Sequence, residues 1–438
     1  MAVPHSPAEQ SPAERSPTGR APATAAAFAE PTAPVRPRWI LGVVLVNIGI
    51  NVAFFGPLQV LLAQQAAAFA PGQKEAVLAL VTSAGAAVSV VCNPLAGALS
   101  DRTSGRFGRR RPWVFFGALT GTLALVGLSG APSIAAMAAL WCLVQLGANS
   151  AYAAITAAVP DRVPVTQRGS VGGLAAMGIT TGILLGTAVG AAVAGNFSLG
   201  YLICGALLAV SVVHFLLGAR DEPLPRAALG RFSLGRFVAA FWISPRRHPD
   251  FAWAWFTKLL VNVGNHVVLL YLIYFLTDAV RIEQTTGIPP ATGTLILTGL
   301  YSAMVIATSI LGGKVSDRIG RRKPLVIGSS AVMAVASLIL ALAPTWTGAL
   351  VGAIVLGIGF GAYMAVDFAL VTQVLPNAAD RGKDLGVINI ANSLPQVIAP
   401  AIAYPFLAFL GGYVSLYIGA AVIGLFGAVF VTRIRSVA

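Results

Sequence analysis

Long apolar stretches, repeated twelve times along the chain, constrain its fold more than any other feature of the sequence. Each stretch is close to the roughly 20 residues that an α-helix needs to cross the hydrocarbon core of a bilayer. A soluble fold with 57% hydrophobic and 10% charged residues could not cover its surface with polar groups. The sequence therefore predicts an all-α integral membrane protein with 12 transmembrane helices. The predicted helices span residues 39–65, 76–99, 113–131, 133–157, 170–194, 199–218, 251–277, 291–313, 325–343, 346–372, 384–410 and 413–432.

The lysines and arginines lie in short blocks between the apolar stretches. With the N-terminus placed inside, only Lys74 and Arg281 of the 29 basic residues lie in outer loops, and Lys258 lies within a helix. This bias follows the positive-inside rule and predicts that both termini are cytoplasmic. The net charge of +14 thus indicates the inner loops of a multi-pass protein of the cell membrane (plasma or inner), and not a nucleic-acid-binding face.

Two polar segments are predicted to lie outside the membrane. Residues 1–37 are rich in Pro, Ala, Ser and Glu without periodicity, which predicts a disordered cytoplasmic tail. Residues 219–250 form the one long polar interruption, in which arginines are interspersed with aromatic residues. We interpret this segment as a cytoplasmic linker with an amphipathic helix on the inner membrane surface. It separates an N-terminal half at 38–218 from a C-terminal half at 251–438.

A charged motif recurs between the second and third helices of each half. The first copy, at residues 93–113, reads NPLAGALSDRTSGRFGRRRPW, and the second, at residues 312–324, reads GGKVSDRIGRRKP. Asp101 of the first copy and Asp317 of the second are 216 residues apart. Two copies indicate a duplicated unit of six helices, an architecture that places a substrate site at the interface between the repeats.

The pattern Gly-x-x-x-Asp-Arg-x-Gly-Arg-Arg resembles the signature loop of the major facilitator superfamily. The second copy matches it without a gap, and the first copy carries four extra residues. That lengthened form is similar to the loop of sucrose–proton symporters and of the glycoside–pentoside–hexuronide:cation symporters. The resemblance implies a fold of 12 helices in two six-helix halves and transport by alternating access. The residues predicted to form a conformational latch are Gly97, Asp101, Arg102, Arg109 and Arg110 in the first copy, and Gly313, Asp317, Arg318, Arg321 and Arg322 in the second.

The latch has a physical basis of its own. An aspartate at a helix end can bind backbone N–H groups at a neighbouring helix start and pair with arginine. Such contacts would hold the cytoplasmic side closed in one state and release it in another. The alternative is that Asp101 and the arginines only anchor the loop to anionic lipid. Two copies at the repeat spacing favour the latch.

Polar side chains at membrane depth form stripes on helices 1, 4, 7 and 10. Such groups are costly in hydrocarbon and tend to face a cavity. The resemblance implies that these four helices line the central cavity. Each amide alone could instead join neighbouring helices, and we interpret a further stripe on helix 11 (Asn389, Asn392, Ser393 and Gln396) in that way. The residues predicted to bind substrate are Asn47, Asn51, Gln145, Asn149, Tyr152, Asn262, His266 and Tyr363.

Lys258 and Asp367 are the charged residues that lie well inside an apolar stretch. Each alone would cost about 2.5–3.5 kcal/mol at the bilayer centre, so we predict a direct or water-bridged pair. The pair would serve as a gate, as a switch in which Asp367 loses its partner when protonated, or as a static link between helices 7 and 10. His266 is a second candidate proton carrier, and a neutral hydrogen-bonded histidine is the alternative.

Two transmembrane stretches depart from the resembled families. Where sucrose–proton symporters carry an acidic residue and an arginine in helix 4, this sequence has Gln145 and Thr156. Helix 5 has no proline and so lacks the Gly-Pro-x-x-Gly-Gly signature of drug–proton antiporters. The first departure argues against sucrose and its coupling mechanism, and the second weakens the case for drug export.

The sequence predicts a secondary active transporter for a small neutral solute such as a sugar or glycoside, driven by proton symport. Proton antiport of a drug or metabolite, facilitated uniport and a non-transporting receptor are the alternatives. The sequence carries no catalytic constellation, metal motif or Gly-x-x-x-x-Gly-Lys-Ser/Thr loop. We therefore predict no enzyme activity, no metal and no cofactor other than a proton or cation as coupling ion. The expected partners are the small-molecule substrate and the lipid bilayer, without nucleic acid, and the expected state is a monomer.

Overall fold

The part of the chain that the structure describes forms twelve long helices at the places where apolar stretches predicted them. They are α1 (Pro37–Phe69), α2 (Lys74–Ser100), α3 (Arg111–Ser129), α4 (Ile134–Arg162), α5 (Val165–Ala192), α6 (Phe197–Gly218), α7 (Pro249–Leu270, continued by Leu272–Ala279), α8 (Pro290–Ile319), α9 (Lys323–Leu342), α10 (Trp346–Gln373), α11 (Arg381–Phe409) and α12 (Gly412–Val431). The computed structural model describes residues 31–193, 195–218, 235, 244–319, 322–373 and 381–435. In that part of the chain, ten helices are each long and apolar enough to span a membrane, and the two bent segments of α7 make an eleventh span. The predicted amphipathic helix of the linker and most of the N-terminal tail lie outside the described residues.

Several helices extend further than hydropathy predicts. α4 ends at Arg162 and α8 at Ile319, several residues past their predicted ends at 157 and 313. Hydropathy marks where side chains leave the lipid, whereas a helix continues as long as its backbone hydrogen bonds are satisfied. Both helices therefore project beyond the apolar layer.

The helix contacts repeat from one half of the chain to the other. In the first half, α1 packs on α5 and α6, α4 on α2 and α3, and α3 on α6. In the second half, α7 packs on α11 and α12, α10 on α8 and α9, and α9 on α12. The halves meet through the equivalent pairs α2–α11 and α5–α8. The fold is thus two six-helix bundles with the same internal arrangement.

Neighbouring long helices alternate in direction, so the bundle has two ends. We call the end at which α1 begins and α12 ends the termini face, and the other end the opposite face. The loop at 101–110 lies at the termini face, and the loop at 70–73 lies at the opposite face. These names imply no membrane orientation.

Large apolar side chains cover the periphery of the bundle. Phe116 and Leu123 on α3 are each 62% exposed, and Val210 on α6 is 70% exposed. In water such a surface would drive aggregation, whereas lipid tails solvate it as well as a protein core does. The exposed apolar surface fits a protein that spans a bilayer.

A row of glycines brings α5 close to α1. Gly178, Gly182, Gly186 and Gly190 recur every four residues and therefore share one face of α5. A Cβ atom added to Gly182 would lie 2.5 Å from the backbone oxygen of Ile48 on α1. Small residues let helix backbones approach closely in a membrane, where van der Waals contact replaces the hydrophobic effect as the driving force. The row positions α1 within the first half.

The first helix of each half contains a π-turn near the opposite face. In α1 the π-turn covers Pro57–Leu61, and in α7 it covers Phe275–Ala279. The second of these follows a 42° bend at Tyr271. A π-turn inserts one extra residue into the helix, and such turns occur frequently at functional sites.

Candidate functional site

A buried ion pair lies between α7 and α10. The ammonium of Lys258 donates a hydrogen bond to Oδ2 of Asp367, and the hydroxyl of Tyr363 donates to Oδ1 at 2.7 Å. The side chains of Lys258 and Asp367 are 10% and 11% exposed. The predicted pairing of these two residues is present as a direct contact. Each carboxylate oxygen has a donor, and such partners offset part of the cost of burying the charges.

The same face of α7 carries two further polar side chains. The amide of Asn262 donates to the backbone oxygen of Lys258 at 2.9 Å, and Nδ1 of His266 lies 2.9 Å from the backbone oxygen of Asn262. Because a carbonyl oxygen can only accept, this hydrogen bond requires the proton of His266 on Nδ1. In the neutral ring Nε2 is then a hydrogen-bond acceptor. Lys258, Asn262 and His266 form one stripe with a four-residue spacing.

The first half presents amides without charge. The amides of Asn47 and Asn51 on α1 donate to backbone oxygens four residues earlier, at 2.9 and 2.8 Å. Asn149 on α4 does the same at 2.8 Å and lies 2.9 Å from Oε1 of Gln145. These hydrogen bonds each stay within one helix and do not join neighbouring helices. Tyr152 is half-buried on the same face of α4.

A run of aromatic rings extends from the ion pair through the second half. Tyr363 contacts Phe360 with ring centroids 6.2 Å apart, and Phe360 stacks on Tyr301 of α8 at 6.1 Å. The hydroxyl of Tyr301 lies 3.1 Å from Nδ2 of Asn265. The prediction from sequence missed Tyr301 and Phe360, because an aromatic residue within an apolar stretch carries no signal that distinguishes it from the core.

The first copy of the charged motif forms an ion cluster at the termini face. Arg110 donates to Oδ1 of Asp101 at the end of α2, and its Nε lies 2.8 Å from Oδ2 of Asp161 at the end of α4. Nη2 of Arg109 lies 2.6 Å from the same oxygen of Asp161 and 4.0 Å from Asp101. The side chain of Arg110 is 4% exposed. The two arginines thus join two helix ends within the first half.

The other predicted residues of this copy have different surroundings. An added Cβ at Gly97 would meet nothing within 4 Å, so packing does not require glycine there. Arg102 is exposed. Asp161 was missed as a partner, although the motif Pro160-Asp161-Arg162 is visible in the sequence. Its role depends on the spatial proximity of α2 and α4, which the sequence does not show.

The four extra residues of this loop belong to a tight turn. Gly105 and Gly108 face each other in an antiparallel bridge, and Gly108 has a φ of 88°. Glycine adopts this left-handed conformation without strain. The turn exposes Phe107, whose ring lies 4.8 Å from the guanidinium carbon of Arg106.

The second copy of the motif is described in part. The side chain of Arg318 is exposed, and Arg322 directly precedes α9. The side chains of Gly313, Asp317 and Arg321 lie outside the described residues, as do those of Asn389, Asn392 and Ser393 on α11. The latch at this copy and the role of the stripe on α11 stay predictions.

The fold and the site define a membrane transporter built from two repeated six-helix bundles. The family profile described as Major Facilitator Superfamily matches residues 41–281 and 268–437. The chain therefore belongs to the major facilitator superfamily. The predicted superfamily and its fold are confirmed.

Among curated relatives, the chain is similar to multidrug resistance proteins named MdtL. MdtL of Klebsiella pneumoniae (strain 342) is 33% identical over 145 residues, which cover 32% of this chain and 35% of that protein. MdtL of Escherichia coli (strain K12 / DH10B) is 34% identical over 105 residues, which cover 24% of this chain and 26% of that protein. The matches thus span about a third or less of the length of these relatives. They do not confirm the closer resemblance to sugar–cation symporters.

Solved structures share the whole architecture. A peptide transporter POT in complex with sulfate has a TM-score of 0.73 at 15% identity, with 94% of this chain and 99% of that chain covered. A mutant of the nucleoside transporter NupG has a TM-score of 0.72 at 13% identity, with 90% and 99% covered. A bacterial homologue of the human lysosomal transporter Spinster, in an inward-facing and unoccupied conformation, has a TM-score of 0.68 at 16% identity, with 91% and 96% covered. At these identities the similarity shows the common fold.

Proposed function

We propose that this protein is a proton-coupled symporter of a small neutral hydroxylated solute, such as a sugar or glycoside. The observation that carries the proposal is the combination of one buried ion pair with amide stripes on α1, α4 and α7. The stripes supply hydrogen-bonding groups for the solute, and the ion pair supplies a group that can take up a proton. Alternating access through motion of the two halves completes the cycle.

The amides suit hydroxyl groups in particular. Asn47, Asn51, Asn149 and Asn262 each use an N–H for a backbone oxygen of their own helix. Asn47, Asn51 and Asn262 each retain the carbonyl oxygen and a second N–H, so each can accept and donate together. Asn149 retains its carbonyl oxygen, because its second N–H donates to Oε1 of Gln145. A sugar hydroxyl does both as well. A site with these groups and no uncompensated charge favours a neutral, hydroxyl-rich solute.

Coupling is assigned to Asp367. A proton on this carboxylate removes the charge that attracts Lys258 and leaves a cation at a depth where it is costly. Lys258 then moves toward water or toward another acceptor, and α7 and α10 lose one contact that holds them together. Solute binding and protonation thereby favour the same state of the transporter.

The test is transport by purified protein in liposomes. Wild-type protein is expected to accumulate a radiolabelled sugar, screened from a panel, against its gradient when a pH gradient is imposed, and a protonophore is expected to abolish accumulation. Asp367→Asn is expected to lose accumulation by at least about tenfold and to retain exchange at equal pH, because the ion pair is lost while the amides remain. Tyr363→Phe removes one hydrogen bond to Asp367 and is expected to reduce accumulation by less. Accumulation by Asp367→Asn at the wild-type level would contradict the assigned coupling.

Proton-driven efflux of drugs is a second candidate function. The partial similarity to MdtL proteins favours it, since those relatives are named multidrug resistance proteins. The aromatic run of Tyr301, Phe360 and Tyr363 would stack on a planar drug. Everted vesicles in a bath that contains ethidium distinguish the candidates, because an antiporter removes ethidium from the bath when the vesicle interior is acidified. Facilitated uniport is indicated if sugar equilibrates but never accumulates.

We propose that the termini face is cytoplasmic and that the opposite face is the outer side of the cell membrane. The basic residues support this orientation, because the loop at 101–110 carries four arginines. The coupling ion is proposed to be a proton, and the functional unit a monomer. Cysteine labelling with a membrane-impermeant maleimide at Gly72 and at Arg106 in whole cells tests the orientation.

A further inference from the structure

A cavity of about 280 Å³ lies at the opposite face, within the second half of the chain. Its walls come from the π-turn of α7, from α9 and from the start of α12. The side chains that matter for its chemistry are Phe275, Asp278, Ala279, Tyr413 and Val414. The cavity is separate from the buried ion pair between α7 and α10, because neither member of that pair lines it.

The rim of the cavity is strongly apolar. Phe409, which lies two residues before the lining residue Gly411, is 77% exposed, and Leu342, two residues after the lining residue Leu340, is 75% exposed. Val414 lines the cavity and is itself 44% exposed. In a bilayer, apolar side chains with this exposure face lipid. A molecule in the cavity can therefore extend an apolar part over the rim.

The polar wall of the cavity carries negative charge. Nζ of Lys74, at the start of α2, lies 2.7 Å from both oxygens of Asp278 and 3.9 Å from Oε1 of Glu75. The formal charges of these three groups sum to one negative charge. A cation in the cavity would compensate that charge at short range.

The carboxylate of Asp278 has room for a further donor. Its two oxygens offer about four acceptor positions. Lys74 uses one position on each oxygen, and the hydroxyl of Tyr413 donates to Oδ2 at 2.8 Å. The contacts of the described residues thus leave one position on Oδ1. The side chain of Asp278 is 32% exposed, so a ligand can reach it.

Aromatic rings surround the same carboxylate. The ring centroid of Phe275 lies 5.9 Å from that of Tyr413 and 5.0 Å from that of Tyr417. The ammonium of Lys74 already lies 4.8 Å from the ring centroid of Tyr274. Aromatic faces attract ammonium groups, and such rings with a carboxylate are a recurrent means of binding them. The cavity presents this combination of groups to a second ammonium.

We propose that the cavity binds the headgroup of a phospholipid with a primary ammonium, such as phosphatidylethanolamine, from the leaflet at the opposite face. The ammonium donates to Oδ1 of Asp278 and lies against Phe275 and Tyr413, and the acyl chains lie on the apolar rim. A volume of about 280 Å³ is at the lower end of ligand pockets, so the cavity holds the headgroup and not the chains. The site lies outside the path that the proposed function assigns to the solute.

The experiment measures lipid binding to the delipidated full-length protein in detergent by native mass spectrometry. Phosphatidylethanolamine, phosphatidylcholine and phosphatidylglycerol with the same acyl chains are titrated separately, and the dissociation constant of the first bound lipid is compared. Wild-type protein is expected to bind phosphatidylethanolamine at least about fivefold more tightly than the other two, because a quaternary ammonium has no N–H to donate and glycerol has no cation. Glycerophosphoethanolamine, which lacks acyl chains, is expected not to compete at equal concentration.

One pair of variants tests the location. Val414→Trp fills the cavity and is expected to weaken binding of phosphatidylethanolamine about tenfold, because the headgroup loses its space. Val422→Trp is the matched control, since Val422 lies two turns further along α12, is 45% exposed and does not line the cavity. It is expected to bind the lipid like wild type. Ala279→Leu fills the cavity from α7 and takes the place of Val414→Trp if that variant fails to fold.

A second pair of variants tests the carboxylate. Asp278→Asn is expected to weaken binding about fivefold, because a charge-assisted hydrogen bond becomes a neutral one. Lys74→Gln breaks the same ion pair but keeps the carboxylate, and it is expected to bind phosphatidylethanolamine at least as tightly as wild type. A purely structural effect of the lost ion pair would weaken binding in both variants.

Three results would overturn the proposal. Equal affinity of wild type for phosphatidylethanolamine and phosphatidylglycerol would exclude recognition of the ammonium, and equal affinity of Val414→Trp and Val422→Trp would exclude the cavity. Competition by glycerophosphoethanolamine would assign the cavity to a soluble amine and not to a lipid. None of these measurements involves transport, so the lipid site and the proposed function fail separately.

Discussion

Arg110 joins two helix ends that are 60 residues apart in the chain. Its guanidinium binds Asp101 at the end of α2 and Asp161 at the end of α4, and it is 4% exposed. A planar guanidinium can serve two carboxylates from one position, whereas an ammonium is a single point charge. Arg110 therefore holds together the ends of α2 and α4 at the termini face.

Arg110→Lys is expected to destabilise the protein although the charge is kept. One of the two carboxylates loses a donor, and a hydrogen bond between charged groups contributes about 1.5–3 kcal/mol. The thermal unfolding midpoint in detergent is the measurement, with Arg106→Lys as control because Arg106 is exposed on the same loop. An equal midpoint for both variants would show that the cluster does not stabilise the fold.

Individual residues could be predicted from the sequence only where a charged side chain within the membrane would be energetically costly. Lys258 and Asp367 were found as a pair because formal charge is scarce within apolar stretches. Lys74 looked like a residue of a solvated loop, and nothing in the sequence connected it with Asp278 some 200 positions later. Partners of this kind depend on the packing of the halves and not on local chemistry.

At the scale of the helix, α5 depends on its glycine row. The row allows backbone contact with α1, on which Asn47 and Asn51 lie. A change in this contact would displace α1 and with it the amide stripe. The packing of α5 thus positions residues of another helix.

Gly182→Ala is expected to be damaging and Gly173→Ala tolerated. An added Cβ at Gly182 would lie 2.5 Å from a backbone oxygen and 2.7 Å from Cβ of Asn51, whereas at Gly173 it would meet nothing within 4 Å. Overpacking costs about 1–3 kcal/mol, and the contact with rigid backbone places this change at the upper end. Fluorescence-detected size-exclusion chromatography after heating compares the variants. Similar melting of both would refute the close contact.

The helices could be predicted well because the lipid acts as their solvent. Hydropathy reports directly on that solvent, and all twelve helices were predicted with ends close to those observed. The π-turns and the bend at Tyr271 could not be found, because one extra residue in a helical turn does not alter hydropathy.

At the scale of the whole molecule, the two halves carry different chemical groups. The second half holds the buried ion pair, and the first half presents amides at Asn47, Asn51 and Asn149 without charge. The proposed function therefore assigns proton uptake to one half and solute binding to both halves. A rocking motion that brings the halves together joins the two functions at the centre of the protein.

The hydrogen bonds that the asparagines make to their own helices have a further consequence for the empty protein. Amides in a dry, occluded site would ordinarily need a ligand or water to satisfy their N–H groups. Here Asn47, Asn51, Asn149 and Asn262 each satisfy one N–H without a ligand. Under the proposed function, the unloaded transporter would therefore reorient its binding site at little cost in unsatisfied hydrogen bonds. Net efflux of labelled solute into solute-free buffer is thus expected within about threefold of the exchange rate, and a carrier that only exchanges would contradict it. Under the proposed function, the carrier would complete its cycle without a second solute in exchange.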